Sequence, residues 1–204
     1  MRIHRITALV ALLALATLTA ASSAWAGEVS FSDSAQDAYR IPGNNGMPLS
    51  DQPPNPLLSD PSADILDVGL ATAPTSKGNP NQKSYSVTMS ITGPADENYN
   101  YVVAGEFGED CDLFHFLTPG TTAVANAFCD GTSRFVGRIV GSAVVSNGTM
   151  LTATFTYMPK KLPAELAADT QLGPLYAYTC MRGLECNSSE IIDWAHAPDA
   201  TFTI

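Results

Sequence analysis

Apolar and polar residues alternate along most of the chain after residue 60, and the period is two rather than 3.6. The clearest case is 134–158, RFVGRIVGSAVVSNGTMLTATFTYM, which reads as two strands around the turn Ser146-Asn147-Gly148. Asn-Gly between two β-branched runs is a strong hairpin signal, because both residues tolerate the positive φ of a tight turn. Its second strand sets Leu151, Ala153, Phe155 and Tyr157 on one face and Thr152, Thr154 and Thr156 on the other. A two-residue loop would put Val136, Arg138, Val140, Ser142 and Val144 on the face of Phe155. A three-residue loop would put Phe135, Gly137, Ile139, Gly141, Ala143 and Val145 there instead. The second register is favoured, since it sends Arg134 and Arg138 to water.

Further strands are expected at 64–72, with Leu66, Val68 and Leu70 on one face, and at 84–92, with Tyr85, Val87, Met89 and Ile91 inward. Others follow at 99–107, 111–117, 122–129, 175–181, 190–195 and 200–204, the last closing the sheet. One helix is drawn in 159–169, with Pro163 in its first turn and Leu166 facing inward. Residues 27–63 carry repeated prolines and read as an irregular segment wrapped over the domain. The expected fold is an all-β antiparallel sandwich, jelly-roll-like, with eight or nine strands and at most one short helix.

The first 26 residues stand apart. A basic start, the apolar run from Ile6 to Ala20 and Ala24-Trp25-Ala26 make a secretory signal peptide, leaving 27–204 as a single domain. Without the leader, eight basic residues face 20 acidic ones, a formal charge of −12. That field repels nucleic acid and anionic membranes and leaves an extracellular protein or a glycan as the expected partner. In an exported chain, Cys111, Cys129, Cys180 and Cys186 read as two disulfides, with Cys111–Cys129 and Cys180–Cys186 the favoured pairing.

Four groups of residues could carry chemistry. Asp33 with Asp37, and Asp60 with Asp64, pair carboxylates four apart in irregular chain, which suits calcium or, equally, turns capped by aspartate. Glu106, Glu109, Asp110 and Asp112 form a second acidic cluster, a cation site or a solvated hairpin tip. A disulfide between Cys180 and Cys186 would present Met181 and Arg182 on a constrained loop, as a substrate-like protease inhibitor does. Tyr85, Tyr99, Tyr101, Tyr178 and Trp194 would form a sugar-stacking platform if exposed, and core if not. His115 sits among apolar neighbours and reads as buried, while His196 reads as part of a polar terminal loop. With neither a G-x-S-x-G elbow nor an H-E-x-x-H helix, a secreted hydrolase ranks third, behind a binding module and an inhibitor.

The segments FSDSAQD, SDPSADIL, FVGRIVGSAVVSNGTMLTATF and DWAHAPDATFTI together resemble a group of secreted bacterial jelly-roll-like accessory domains. These occur in exoproteins and open on a D-P-x-G-D-like segment, although Ser34, Ala35 and Gln36 depart from it here. The resemblance implies an accessory domain without catalytic residues, with calcium at Asp33, Asp37, Asp60 and Asp64.

Overall fold

A computed structural model describes residues 27–33, 60–75, 79–129, 134–167, 169–182 and 191–204. In chain order the strands are β1 (Glu28–Ser32), β2 (Ile65–Thr72), β3 (Lys83–Ile91), β4 (Tyr99–Phe107), β5 (Cys111–Phe116), β6 (Thr122–Cys129) and β7 (Arg134–Ala143). They continue with β8 (Val145–Asn147), β9 (Met150–Tyr157), β10 (Gln171–Leu172), β11 (Leu175–Met181), β12 (Ile191–Ala197) and β13 (Phe202–Thr203). Ten of them run in one antiparallel path, β1-β2-β3-β9-β7-β6-β5-β4-β11-β12, with β8 added to β9. The path bends at a single pair, Gly141↔Phe155, between β7 and β9. It therefore folds into a first sheet (β1, β2, β3, β9, β8) facing a second (β7, β6, β5, β4, β11, β12). At the far side the sheets meet again: the Ile65 amide donates to Asp193 Oδ2 (2.6 Å) and Thr179 Oγ1 donates to the Ala63 carbonyl (2.7 Å). The result is a sandwich close to a closed barrel.

The all-β antiparallel expectation holds, but thirteen strands are formed rather than eight or nine. β1 lies in the stretch expected to be irregular, where Val29 and Phe31 alternate against Leu70 and Val68 of β2. β10 and β13 pair as a separate two-stranded ribbon, so residues 200–204 do not close the main sheet. The expected helix shrinks to a 3-10 turn, Pro159–Lys161. Pro163 disfavours the helical conformation at Leu162, which is extended at φ −70°, ψ 150°. Leu166 is nevertheless buried.

The hairpin of 134–158 is shorter than its pattern suggests. Asn147 pairs with Met150, so the tip is Gly148-Thr149, with Gly148 at φ 63°. Before it, β7 leaves β9 to pair with β6 along most of its length. The favoured register holds in the middle: Ile139 is buried, Gly137 and Gly141 are half-buried, and Arg134 and Arg138 are exposed. It fails at both ends. A bulge between Ala127 and Phe128 sets Phe128 opposite Phe135, turning Phe135 outward and letting Val136 pack on the core. Val144 is buried where β7 ends, and Val145 emerges 62% exposed. A second bulge, between Ile65 and Asp67, places Ile65 inside in place of Leu66.

One disulfide is seen among the described residues, Cys111–Cys129, joining directly paired positions of β5 and β6. Cys180 is buried at the end of β11, and Cys186 lies outside the described residues. So do the leader 1–26 and the proline-rich 34–59.

Large side chains of the first sheet fill the core. Tyr85 and Met89 of β3 and Leu151 and Phe155 of β9 are fully buried. At the centre, Tyr85 stacks on Phe155 with centroids 5.3 Å apart and meets His115 of β5 edge-on at 5.5 Å. The Val103 carbonyl can only accept, so His115 Nδ1 carries the proton shared with it at 2.9 Å. The neutral ring then accepts at Nε2 from the Tyr85 hydroxyl, also at 2.9 Å. Burial lowers the His115 pKa from 6.5 to about 4. The native state thus holds fewer protons than the unfolded chain between these values, and stability is lost as pH falls through that window. Denaturant midpoints should drop toward acid by up to ~1.4 kcal/mol per pH unit, and His115→Gln should be less stable at neutral pH but flatter across the window. Equal slopes in both proteins would contradict this placement of His115.

Candidate functional site

The second sheet distributes its residues against expectation. On β4 and β5 its inner face carries Tyr101, Val103, Phe107, Leu113 and His115. On β6, β11 and β12 it is built largely from small side chains: Ala123, Ala125 and Ala127 on β6, Ala177 on β11 and Ala195 on β12, all buried. The reason is space, because a Cβ added at Gly141 would already lie 3.1 Å from both the Phe155 ring and Ala123. The large residues of the same strands therefore point away from the core. Across the outer face one row runs Trp194, Tyr178, Val102, Phe116, Val124 and Val140, each directly opposite the next. The adjacent row runs His196, Tyr176, Ala104, Phe114, Asn126 and Arg138. A third begins at Glu106 and Asp112 and ends at Phe128 and Phe135.

The rings touch one another. Trp194 lies nearly parallel to Tyr176 (5.1 Å, 14°) and to Tyr178 (5.8 Å, 12°). Phe114 meets Tyr176 and Phe128 edge-on, and Phe128 meets Phe135 in the same way. Trp194, Tyr176, Phe114, Phe116 and Phe128 are all half-buried, while Phe135 and Val140 are each 55% exposed. An antiparallel sheet normally turns polar residues to water on its outer face. Here an apolar layer rich in aromatic rings crosses six strands, about 24 Å at the usual strand spacing, with Val102, Ala104 and Tyr178 buried beneath the partly exposed Phe114, Phe116, Tyr176 and Trp194.

Polar groups are set into this surface. The Tyr176 hydroxyl donates to Asp112 Oδ1 at 3.0 Å. Partial burial raises the Asp112 pKa, and that hydrogen bond opposes the rise. Burial, then the neighbouring Asp112 carboxylate, push the Tyr176 hydroxyl far above its ordinary value. Glu106 stands directly opposite Asp112 and is exposed. Glu109 and Asp110 form the exposed turn beyond them, with Asp110 at φ 54°.

No family model, curated protein or solved structure matches this chain.

The expected sites are scattered by comparison. The Asp33 amide donates to the Leu66 carbonyl, which brings Asp33 beside the start of β2 and Asp64. Asp60 accepts from the Ser62 amide (2.9 Å) and the Tyr99 hydroxyl, and buried Asp64 accepts from the Thr92 hydroxyl. Both carboxylates thus accept hydrogen bonds from their own fold, and Asp37 lies outside the described residues. No group of three or more His, Cys, Asp or Glu side chains suited to a metal occurs among the described residues. Met181 is the last residue of β11, half-buried and packed on Ala63 and Ile192. Arg182 is exposed, with its guanidinium 3.4 Å from the Glu97 carbonyl.

Of the five rings expected in a platform, Tyr85 and Tyr101 are core, and Tyr101 is held by the Ser62 carbonyl (2.7 Å). Tyr99 half-buries against Tyr101. Only Tyr178 and Trp194 belong to the outer face. Tyr176, Phe114, Phe116, Phe128 and Phe135 were missed, although Phe114 and Phe116 alternate with His115, and Tyr176 and Tyr178 with Ala177, in plain view. His196 sits on β12 with its side chain exposed, not in a loop. A separate cleft of about 540 Å³ opens near Tyr85, Tyr157 and Ile204, beside the Lys83–Asp169 ion pair at 2.5 Å. No His or Cys lines it.

Proposed function

We propose that this protein is a secreted, non-catalytic binding or accessory module whose working surface is the outer face of the second sheet. The observation that carries the reading is the reversal along β6, β11 and β12, alanines inward and rings outward. Fully burying a large apolar side chain is worth about 1.5–3 kcal/mol, which rings held half-exposed forgo in part. An apolar patch of this continuity is a general mark of an interaction surface. Export rests on the leader pattern and is supported by the Cys111–Cys129 bond, which persists in oxidising compartments. A second bond, Cys180–Cys186, is part of the same proposal.

The test is retention of the secreted protein on extracellular and cell-surface material from its producing organism. Phe135→Asp should abolish retention while changing the thermal midpoint little, since Phe135 is 55% exposed. Trp194→Ala should abolish retention with a lowered midpoint from its lost stacking on Tyr176 and Tyr178. Equal retention of these variants and the wild type would refute the assignment of the surface.

Calcium bound near Asp33, Asp37, Asp60 and Asp64 is a secondary proposal, favoured by the approach of Asp33 to the start of β2. Thermal melting in calcium should then give a higher midpoint than melting in chelator, and Asp37→Asn should remove the difference. Identical midpoints would discard the metal.

A further inference from the structure

Resting on the binding surface just proposed, we infer that its ligand is a neutral polysaccharide lying flat across the strands. Three features of the face lead to this ligand class. The first is ring geometry. Tyr176, Tyr178 and Trp194 stack within 14° of one another with Tyr178 buried, which leaves Tyr176 and Trp194 as the partly exposed members of the stack. Pyranose rings carry a face of axial C–H bonds that packs on an electron-rich aromatic face, and the partly exposed rings Trp194, Tyr176, Phe114 and Phe116 offer that contact in a series.

The second is the interleaving of hydrogen-bonding groups with the rings. His196 lies opposite Tyr176, Asn126 opposite Phe114, and Asp112 accepts from Tyr176 while half-buried. Sugar hydroxyls donate and accept along the edge of each ring, and a row with carboxylate, amide and imidazole beside aromatic faces meets both needs. A purely hydrophobic partner would leave these groups without bonds on docking, at a cost in affinity.

The third is charge. The protein as a whole is at −10, which disfavours uronates, sulfated chains and nucleic acid. On the face itself Glu106 and Asp112 lie at one margin and Arg138 at the other, and the ring-bearing rows between them carry no further Asp, Glu, Lys or Arg. An uncharged chain is the ligand that this distribution suits. The span of six strands is long enough for several sugar units in a row.

Affinity electrophoresis in gels containing β-glucan, mannan, xylan or arabinogalactan, with polygalacturonate as an anionic control, tests the inference. At least one neutral polysaccharide should retard the secreted protein. Trp194→Ala and Tyr176→Ala should weaken that binding about tenfold each. Trp194→Phe should keep most of it, and Lys83→Ala, remote at the cleft, should keep all of it. Far-UV circular dichroism of each variant shows that the fold is intact. Retardation by the anionic polymer alone, by none of the polymers, or equally in the ring variants would overturn the glycan. If the ring variants still lose retention on extracellular material, a protein partner takes its place and the binding surface stands. If retention is also unchanged, both readings fall.

Discussion

The buried hydrogen bond between Tyr85 and His115 is the constraint from which the rest of the molecule follows. It is the polar contact at the centre of the core, and it spans the two sheets. Both partners are fully enclosed, and each satisfies the other, with Val103 completing the imidazole. Removing one member would leave a buried group without a partner, which typically costs about 1–3 kcal/mol. The pair also fixes the spacing between layers. Tyr85, stacked on Phe155 and edge-on to Tyr157, occupies the middle of the sandwich. Opposite it the second sheet presents the His115 ring on β5 and alanines on β6.

That geometry explains why the outer face is aromatic. On β6, β11 and β12 small residues hold much of the inside, and the rings Phe128, Tyr176, Tyr178 and Trp194 are directed outward. A sequence selected only for stability would place polar residues there, as β3 and β9 do with serine and threonine. β5, β6, β11 and β12 do not. Their rings pack together well enough to half-bury one another, yet leave a surface that water covers poorly. The two bulges have related consequences. The one facing Phe128 adds Phe135 to the surface, and the one in β2 draws Ile65 toward the junction with Asp193.

Much of the fold was legible because period-two alternation is local. β4, β6 and β11 begin and end where the pattern places them, and the inward set of β3 is the expected one. What the pattern could not carry was anything decided by a neighbour. Phe135 and Val136 exchange faces because of a bulge against β6, and no spacing within β7 signals it. Pro163 stops a helix that composition alone permits. The candidate surface was half visible for a different reason. Tyr178 and Trp194 were seen as rings, but large apolar residues are ordinarily assigned inward, and only the partner sheet shows that the alanines hold that place.

The account's central claim is that these outward rings contact a ligand. Oxidative footprinting of the protein, free and retained on extracellular material, reads that contact residue by residue. Trp194, Tyr176 and Phe135 should be oxidised in the free protein and protected when it is bound, with Val145 and Met150 at the hairpin tip unchanged. Unaltered oxidation of the three rings on binding would contradict the account.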